Sequence, residues 1–337
     1  MKAVVYDRKE KLKFREIPAP VPEPDQVLVR VRHTGFCGSD HSLIESGSLS
    51  EGYIVGHEVS GVVEEIGSAV AGHVVGENVM IRPTFCGKCR DCLQGRPHLC
   101  AVGRRSIGIG DLPGGFAEYL VCYPEMLISA PEGVDSRNVA LAEPFAASLH
   151  AIHVSGAQSG SALVIGGGPI GLALVRLLKI MNFSPVALSE PVKEKRDLAV
   201  AIGADRVLDP LEVDLVFHSF QDTPERGYET VYECSGAEGA LPDAMRCCAN
   251  GGTVCVVSII MRNIEIAPMF LNFKEIKLTG SYSNTHEENR QCLDWMAKGL
   301  LDGTTLISDE ISLEELPGVY RERIDTGRAV KVMIDVE

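Results

Sequence analysis

No run of eighteen apolar residues occurs in the 337-residue chain, so nothing in it is suited to cross a bilayer as a helix. Basic residues are also scarce: 32 Lys and Arg stand against 46 Asp and Glu, for a formal net charge of −14 and a pI near 5.2. No Lys/Arg-rich tract offsets that deficit, which argues against nucleic-acid or anionic-membrane partners, both of which need basic patches. The opening residues Met1-Lys-Ala-Val-Val-Tyr6 lack the apolar stretch and cleavage site of a secretory leader. Eleven cysteines, an odd number, without such a leader fit a reducing compartment, where clustered thiols hold metal instead of pairing as disulfides. A cytoplasmic location is therefore expected. Internal repeats and low-complexity tracts are missing as well.

What is present is ordinary in bulk and specific in detail. Apolar residues at 45% and charged residues at 23% describe a soluble globular protein. The length is long for one core, so two domains are expected.

The densest chemistry lies between Gly35 and Cys100. Cys86-Gly-Lys-Cys89-Arg-Asp-Cys92 is followed by Cys100, which supplies four thiolates at a spacing suited to closed, tetrahedral structural zinc. An iron–sulfur centre would more often show a shorter last interval followed by proline, whereas Ala101 follows here. Upstream, Cys37 in Gly35-Phe-Cys-Gly-Ser-Asp40 and the pair His57-Glu58 offer sulfur, nitrogen and oxygen. Three mixed ligands leave one coordination position open, the mark of catalytic zinc. Glu143, in Leu141-Ala-Glu-Pro-Phe145, could approach that metal as a fourth ligand or stand behind a ligand as a supporting carboxylate.

Along the chain, the N-terminal part reads as short strands at Ala3–Tyr6, Gln26–Val31, Val59–Ile66 and Asn78–Ile81, with prolines confined to the connection Ile17–Pro24. A loop is expected at Leu43–Tyr53. From Asn138 onward the pattern alternates helix and apolar strand: helices at Val139–Ile152, Leu172–Ile180, Glu194–Ile202 and Ala240–Cys248, strands at Ser161–Ile165, Val186–Leu188, Thr230–Cys234 and Thr253–Val257. Such alternation builds a parallel sheet with helices on both faces. A polar helix at Glu287–Lys298 and a last strand at Ala329–Val336 return to the β-rich part. The parallel-sheet domain is thus read as an insertion.

Gly166-Gly-Gly-Pro-Ile-Gly171 matches G-x-G-x-x-G directly after an apolar strand and at the start of a helix, the context that gives this short pattern weight. Gly166 allows the tight turn, Gly168 a close approach to a pyrophosphate, and Gly171 close packing of helix on strand. Pro169 and Ile170 open the helix, whose free N–H groups favour the pyrophosphate. Glu190 follows the next strand, placed to accept hydrogen bonds from the ribose hydroxyls and to repel a 2′-phosphate, which favours NAD over NADP. Lys193 and Lys195 are the nearby bases that could partly accommodate that phosphate.

Taken together, Gly35–Asp40, Gly56-His-Glu58, the four-cysteine lobe, Gly114-Gly-Phe-Ala-Glu-Tyr119, Ala142-Glu-Pro144, Gly166–Gly171, Glu233-Cys-Ser-Gly236 and Lys331-Val-Met-Ile-Asp335 resemble the zinc-dependent medium-chain alcohol dehydrogenases. The likeness is greatest to the polyol branch of sorbitol, threonine and butanediol dehydrogenases. The resemblance implies an α/β chain with a GroES-like β-rich catalytic domain at 1–147, carrying the structural zinc lobe, a Rossmann doubly wound domain at 148–281, and a return to the catalytic domain at 282–337. It implies one catalytic and one structural zinc per chain, the former on Cys37, His57 and Glu58 with Glu143 as the candidate fourth ligand, with NAD as cofactor and a homodimer or homotetramer as the assembly. It also implies that a secondary alcohol is oxidised to a ketone, with zinc acting on its hydroxyl and Ser39 taking its proton.

Three departures bear on the substrate. The relay histidine of relatives falls at Ser42, with His41 one place early, as a relay by another path or as a solvated loop residue. Gly280-Ser-Tyr-Ser283 lacks the arginine that grips polyol hydroxyls in some relatives. The Leu43–Tyr53 segment lacks the usual proline run. A linear polyol, a cyclitol or an amino alcohol all remain open. The competing readings are a zinc-free quinone or enoyl reductase of the same superfamily, which would not need Cys37, His57 and the lobe, and a non-catalytic binding protein on this fold. An apolar edge strand such as Thr253–Ile260 is a candidate subunit interface. Cys122, Cys234, Cys247, Cys248, Cys255 and Cys292 read as core filler.

Overall fold

Alternating apolar residues in Val27-Leu-Val-Arg-Val31 make this stretch the centre of a half-buried sheet, and the computed structural model, which describes residues 1–336, builds the β-rich part around it. Residues 1–143 and 285–337 form one compact unit and residues 144–284 a second.

In the first unit, strands β1 (Lys2–Asp7) and β2 (Lys11–Glu16) form an antiparallel hairpin ahead of the proline-rich connection. They are followed by β3 (Val27–Gly35), β4 (Glu58–Ile66), β5 (Asn78–Ile81), β6 (Tyr119–Cys122) and β7 (Leu127–Ser129). Val27, Val29, Val31, Val59, Val63, Val79, Ile81 and Phe116 form the centre of its core.

The second unit begins within the helix Ser136–Ser155 and continues through β8 (Ala162–Ile165), β9 (Val186–Ser189), β10 (Arg206–Leu208), β11 (Tyr228–Glu233), β12 (Cys248–Val256) and β13 (Lys277–Gly280). These pair in the order β10-β9-β8-β11-β12-β13, all parallel. Ala-Leu-Val-Ile in β8 is buried at every position, as a strand covered on both faces must be. Helices Pro169–Ile180, Lys193–Ala201, Leu215–Asp222 and Ala240–Cys247 connect the strands.

After the helix His286–Ala297, the chain returns through β14 (Asp309–Ser312) and β15 (Val332–Asp335), and the sheet of the first unit takes the order β14-β15-β3-β4-β5-β7, with β6 also on β3. A strand made last is thereby inserted beside one made early.

Two expectations need correction. Thr253 to Val256 lies within β12, between β11 and β13, so this segment is interior, and the edge strand on its side of the parallel sheet is β13, with β10 at the other edge. An uninterrupted apolar run is what double-sided burial demands, and it argued for an inside place. Leu43 to Ser46 is not loop but the end of the helix Gly38–Ser46. Of the cysteines read as filler, Cys122, Cys247, Cys248, Cys255 and Cys292 are buried, and Cys234 is half-buried.

Candidate metal and nucleotide sites

Strand β3 ends at Gly35 and hands the chain to the helix Gly38–Ser46 through Cys37 at its N-cap. Two register shifts in the β3–β4 ladder bring Gly35 opposite Glu58. A Cβ on Gly35 would stand 1.9 Å from Glu58 Oε2, so only glycine leaves room for that carboxylate. The result is that Cys37 Sγ, a ring nitrogen of His57 and a carboxylate oxygen of Glu58 lie within 4.8 Å of one another.

The set is held by residues the sequence reading did not assign. Asp40 is fully buried; its Oδ1 meets His57 Nδ1 at 3.0 Å and accepts from the Gly56 N–H at 3.2 Å, while Oδ2 accepts from the Cys37 N–H at 2.9 Å. One carboxylate therefore ties both ligand-bearing segments and, through Nδ1, leaves His57 Nε2 to face the site. Ser39 Oγ stands 3.2 Å from Cys37 Sγ and 3.3 Å from His57 Nε2.

Lys331, on the returning segment, is buried against Glu58 in an ion pair, and its Nζ also donates to the Phe36 carbonyl at 3.1 Å. Burial disfavours the ammonium, but Glu58 and Cys37 beside it outweigh that and hold its pKa up. Oε1 of Glu58 is buried with no hydrogen-bond partner, a lone oxygen that a cation would satisfy. A soft thiolate, an imidazole and a carboxylate in one buried group suit zinc.

Glu143 does not join this group within 4.8 Å among the described residues; it is half-buried and acts electrostatically on Lys331. His41 lies on the helix, not in a loop, and its Nε2 meets Asp325 Oδ1 at 3.0 Å.

The four lobe cysteines fit a closed metal centre on distance alone. Cys89 Sγ is 3.5 Å from Cys92 Sγ and 3.8 Å from Cys100 Sγ, and Cys86 Sγ is 3.9 Å from Cys92 Sγ. A tetrahedron with zinc–sulfur bonds of about 2.3 Å has edges of about 3.8 Å, whereas a disulfide needs about 2.05 Å. Backbone N–H groups support the thiolates: Cys89 donates to Cys86 Sγ at 3.3 Å, and the Cys86, Val102 and Gly103 amides pull the Cys100 thiol down to about 6.

In the second unit, β8 feeds Gly166, in the left-handed region at φ 105°, and Pro169 begins the helix Pro169–Ile180. A Cβ on Gly171 would lie 1.9 Å from the Gly166 carbonyl oxygen, while one on Gly168 would meet nothing within 4 Å. Gly171 thus closes the turn and Gly168 keeps its outer side clear, the arrangement a pyrophosphate needs. The buried Glu190 at the end of β9 turns its carboxylate to the loop: Oε2 accepts from the Gly167 N–H at 2.7 Å and Oε1 from the Val192 N–H at 2.9 Å. Arg196 donates to the carbonyls of Glu190 and Pro191, each at 2.7 Å, and pairs with Asp209 at 2.9 Å. Ile170 sits in the first turn of the helix, and Lys195 is half-buried on the helix Lys193–Ala201.

A glycine loop on a parallel sheet and two metal-ligand sets on a β-rich unit define a zinc- and nicotinamide-dependent oxidoreductase of the medium-chain, GroES-plus-Rossmann class. Residues 23–132 match the alcohol dehydrogenase GroES-like domain and residues 169–298 the zinc-binding dehydrogenase domain. The chain is 32% identical to L-threonine 3-dehydrogenase of Sinorhizobium fredii (strain NBRC 101917 / NGR234), covering 99% of this chain and 98% of that one. It is 28% identical to sorbitol dehydrogenase of Bacillus subtilis (strain 168), over 99% and 97%. Among solved structures, a protein of Sinorhizobium meliloti 1021 described as a zinc-binding dehydrogenase, bound to NADP, superposes with a TM-score of 0.91 at 33% identity, covering 99% and 98%. Alcohol dehydrogenase TADH of Thermus sp. ATN1 gives 0.93 at 25% identity over all of both chains. The chain belongs to the zinc-binding dehydrogenase family.

Proposed function

We propose that the protein oxidises the secondary hydroxyl of a small polyol, cyclitol or amino alcohol to a ketone, with NAD as hydride acceptor, at a site built on Cys37, His57 and Glu58. The observation that carries this reading is the buried three-donor group with the Ser39 hydroxyl beside both Cys37 Sγ and His57 Nε2. The sorbitol and L-threonine substrates in the names of its relatives support a secondary alcohol with neighbouring polar groups. Bound there, zinc supplies the Lewis acidity that eases removal of the alcohol proton, and the nicotinamide supplies the hydride acceptor.

The chain's own residues do the remaining work. Asp40 fixes the His57 ring, and Lys331 balances the carboxylate charge of Glu58. Ser39 is the hydroxyl in position to receive the alcohol proton. His41, held by Asp325, is not assigned to the relay. A second zinc on Cys86, Cys89, Cys92 and Cys100 fixes the lobe. Glu143 is placed to support the charge balance at Lys331.

Glu190 favours NAD. Its carboxylate is anchored by two backbone N–H groups, so its negative charge stays where a 2′-phosphate would come, and Arg196 is already committed to carbonyls and to Asp209. The NADP held by the Sinorhizobium meliloti protein makes this the choice most in need of a direct comparison. A homodimer or homotetramer through the β13 edge and a cytoplasmic setting complete the proposal.

The test is metal analysis of purified protein followed by absorbance at the NADH band with polyols, inositols, aminocyclitols, threonine and simple secondary alcohols, with NAD and NADP in parallel. Two zinc per chain, NADH formation with one chemical class, and loss of both one zinc and the activity in Cys37→Ser are expected. Activity that survives Cys37→Ser and chelation would sink the assignment.

A further inference from the structure

We infer that Tyr320 is a positioning residue for the Cys37 metal site, acting as a clamp from the C-terminal segment on the helix that starts at Cys37. The inference rests on the reading of Cys37, His57 and Glu58 as the catalytic zinc ligands.

The helix Gly38–Ser46 has little to hold it in place by itself. It is nine residues long, contains Ser39, Ser42 and Ser46, and buries only Asp40 and Ile44. Isolated helices of this length are marginal, and interior serines compete for backbone hydrogen bonds. Its position, and with it that of its N-cap Cys37, must come from contacts outside the helix.

Tyr320 supplies contacts along its whole length. The residue is 2% exposed, its ring centroid lies 5.9 Å from that of Phe36 and 5.7 Å from that of His41, and its hydroxyl donates to Glu45 Oε1 at 2.7 Å. One side chain thus touches the residue before the metal ligand, the first part of the helix and its last turn. Phe36 is in turn stacked on Phe116 at 5.6 Å, and its N–H donates to the Val332 carbonyl at 2.9 Å. Tyr320 opens a π-helical turn, Tyr320–Ile324, which places Asp325 against His41.

His41, Glu45 and Asp325 bring three potential metal donors within 4.8 Å. Glu45 is shared between the Tyr320 hydroxyl and Lys11, the latter at 3.1 Å, and His41 is paired with Asp325, so these groups serve as the ends of the clamp. The hydrogen bond from Tyr320 is the main reason the Glu45 carboxyl lies below its ordinary range, and burial pushes the phenol up, so donor and acceptor keep their roles at neutral pH.

The test compares zinc-loaded wild type with Tyr320→Leu, Tyr320→Phe and Glu45→Gln. Release of each zinc to a colorimetric chelator is timed, and cobalt(II) is exchanged into the Cys37 site for its visible thiolate bands. Tyr320→Leu is expected to speed release from this site by about tenfold or more and to shift the cobalt bands, with the four-cysteine zinc unaffected. Tyr320→Phe, which loses only the hydroxyl, should show a smaller change in the same direction, and Glu45→Gln, which keeps an acceptor for the Tyr320 hydroxyl, should retain near-wild-type release. If Tyr320→Leu fails to fold, the Phe variant decides. Unchanged release and bands alongside a lowered melting temperature would reduce Tyr320 to core packing and overturn the inference. Zinc content indifferent to Cys37→Ser would instead overturn the site on which it rests.

Discussion

Lys331 and Glu58 are each 1% exposed on their side chains and face each other in the interior of the first unit. Removing one member of such a pair strands the other charge. Lys331→Met is therefore expected to destabilise the metal-free protein by about 3–5 kcal/mol, read as a lower urea midpoint, and the loss should shrink when zinc is added to neutralise Glu58. A milder effect belongs to His286. Burial first, then Arg82 and Arg290 nearby, lower its pKa to about 4, against an ordinary value of 6.5. Below pH 6.5 the unfolded chain takes up this proton while the folded chain does not until about pH 4, so stability should rise with pH across that window. Urea midpoints at pH 5 and pH 7 check this, and His286→Asn should flatten the difference. The candidate ligand groups that the structure brings together were legible because metal chelation fixes residue type and, in the lobe, spacing. Asp40 stood inside a motif already noticed, at the third helical position, yet its role depends on His57 and Gly56, seventeen and sixteen residues away. Lys331 acts across 295 residues on Phe36, a distance no local pattern can show.

Elements with a strong period were readable: β4, β5, β8 and the helix after Gly168 all fall where apolar spacing puts them. Elements without a clear apolar run were not: β10, Arg206-Val-Leu208, and β14, Asp309-Glu-Ile-Ser312, carry fewer apolar residues than the equally short β8, and the helix Leu215–Asp222 was also missed. The edge strand was misassigned because apolarity was taken for exposure to a partner, when in a parallel sheet it marks the inside. The glycine turn offers the sharpest element-level check. Gly171→Ala forces a Cβ into the Gly166 carbonyl and is expected to cost about 2 kcal/mol or more through overpacking. Gly168→Ala meets no protein atom within 4 Å and should melt like wild type, yet weaken NADH by about tenfold because the methyl group stands where the pyrophosphate approaches. Thermal melts with NADH fluorescence titrations separate the two. Equal binding by Gly168→Ala and wild type would remove the pyrophosphate from this turn.

At the scale of the whole molecule, the parallel sheet stops at β13, whose residues Lys277-Leu-Thr-Gly280 are half-buried or exposed, with Leu278 at 38%. An unpaired edge with an exposed leucine is a template for another chain. If the proposed homo-oligomer forms through this edge, Leu278→Asp lowers the sedimenting mass toward that of a monomer at micromolar concentration, whereas an unchanged mass counts against an assembly through β13. The insertion of the nucleotide-binding unit was legible because helix–strand alternation starts and stops within the chain while the last apolar strand returns to the earlier pattern. The pairing of β15 with β3 was not, since register is fixed only when both strands are in place.

That pairing also sets a schedule for biosynthesis. At about 5–20 residues per second, the 295 residues separating Phe36 from Lys331 take about 15–60 s to translate. Cys37, His57 and Glu58 are made early in that interval and the contiguous segment 144–284 is completed within it, while Glu58 still has no lysine to answer its charge. The nascent chain thus carries the donors Cys37, His57 and Glu58 well before it carries the lysine that pairs with Glu58.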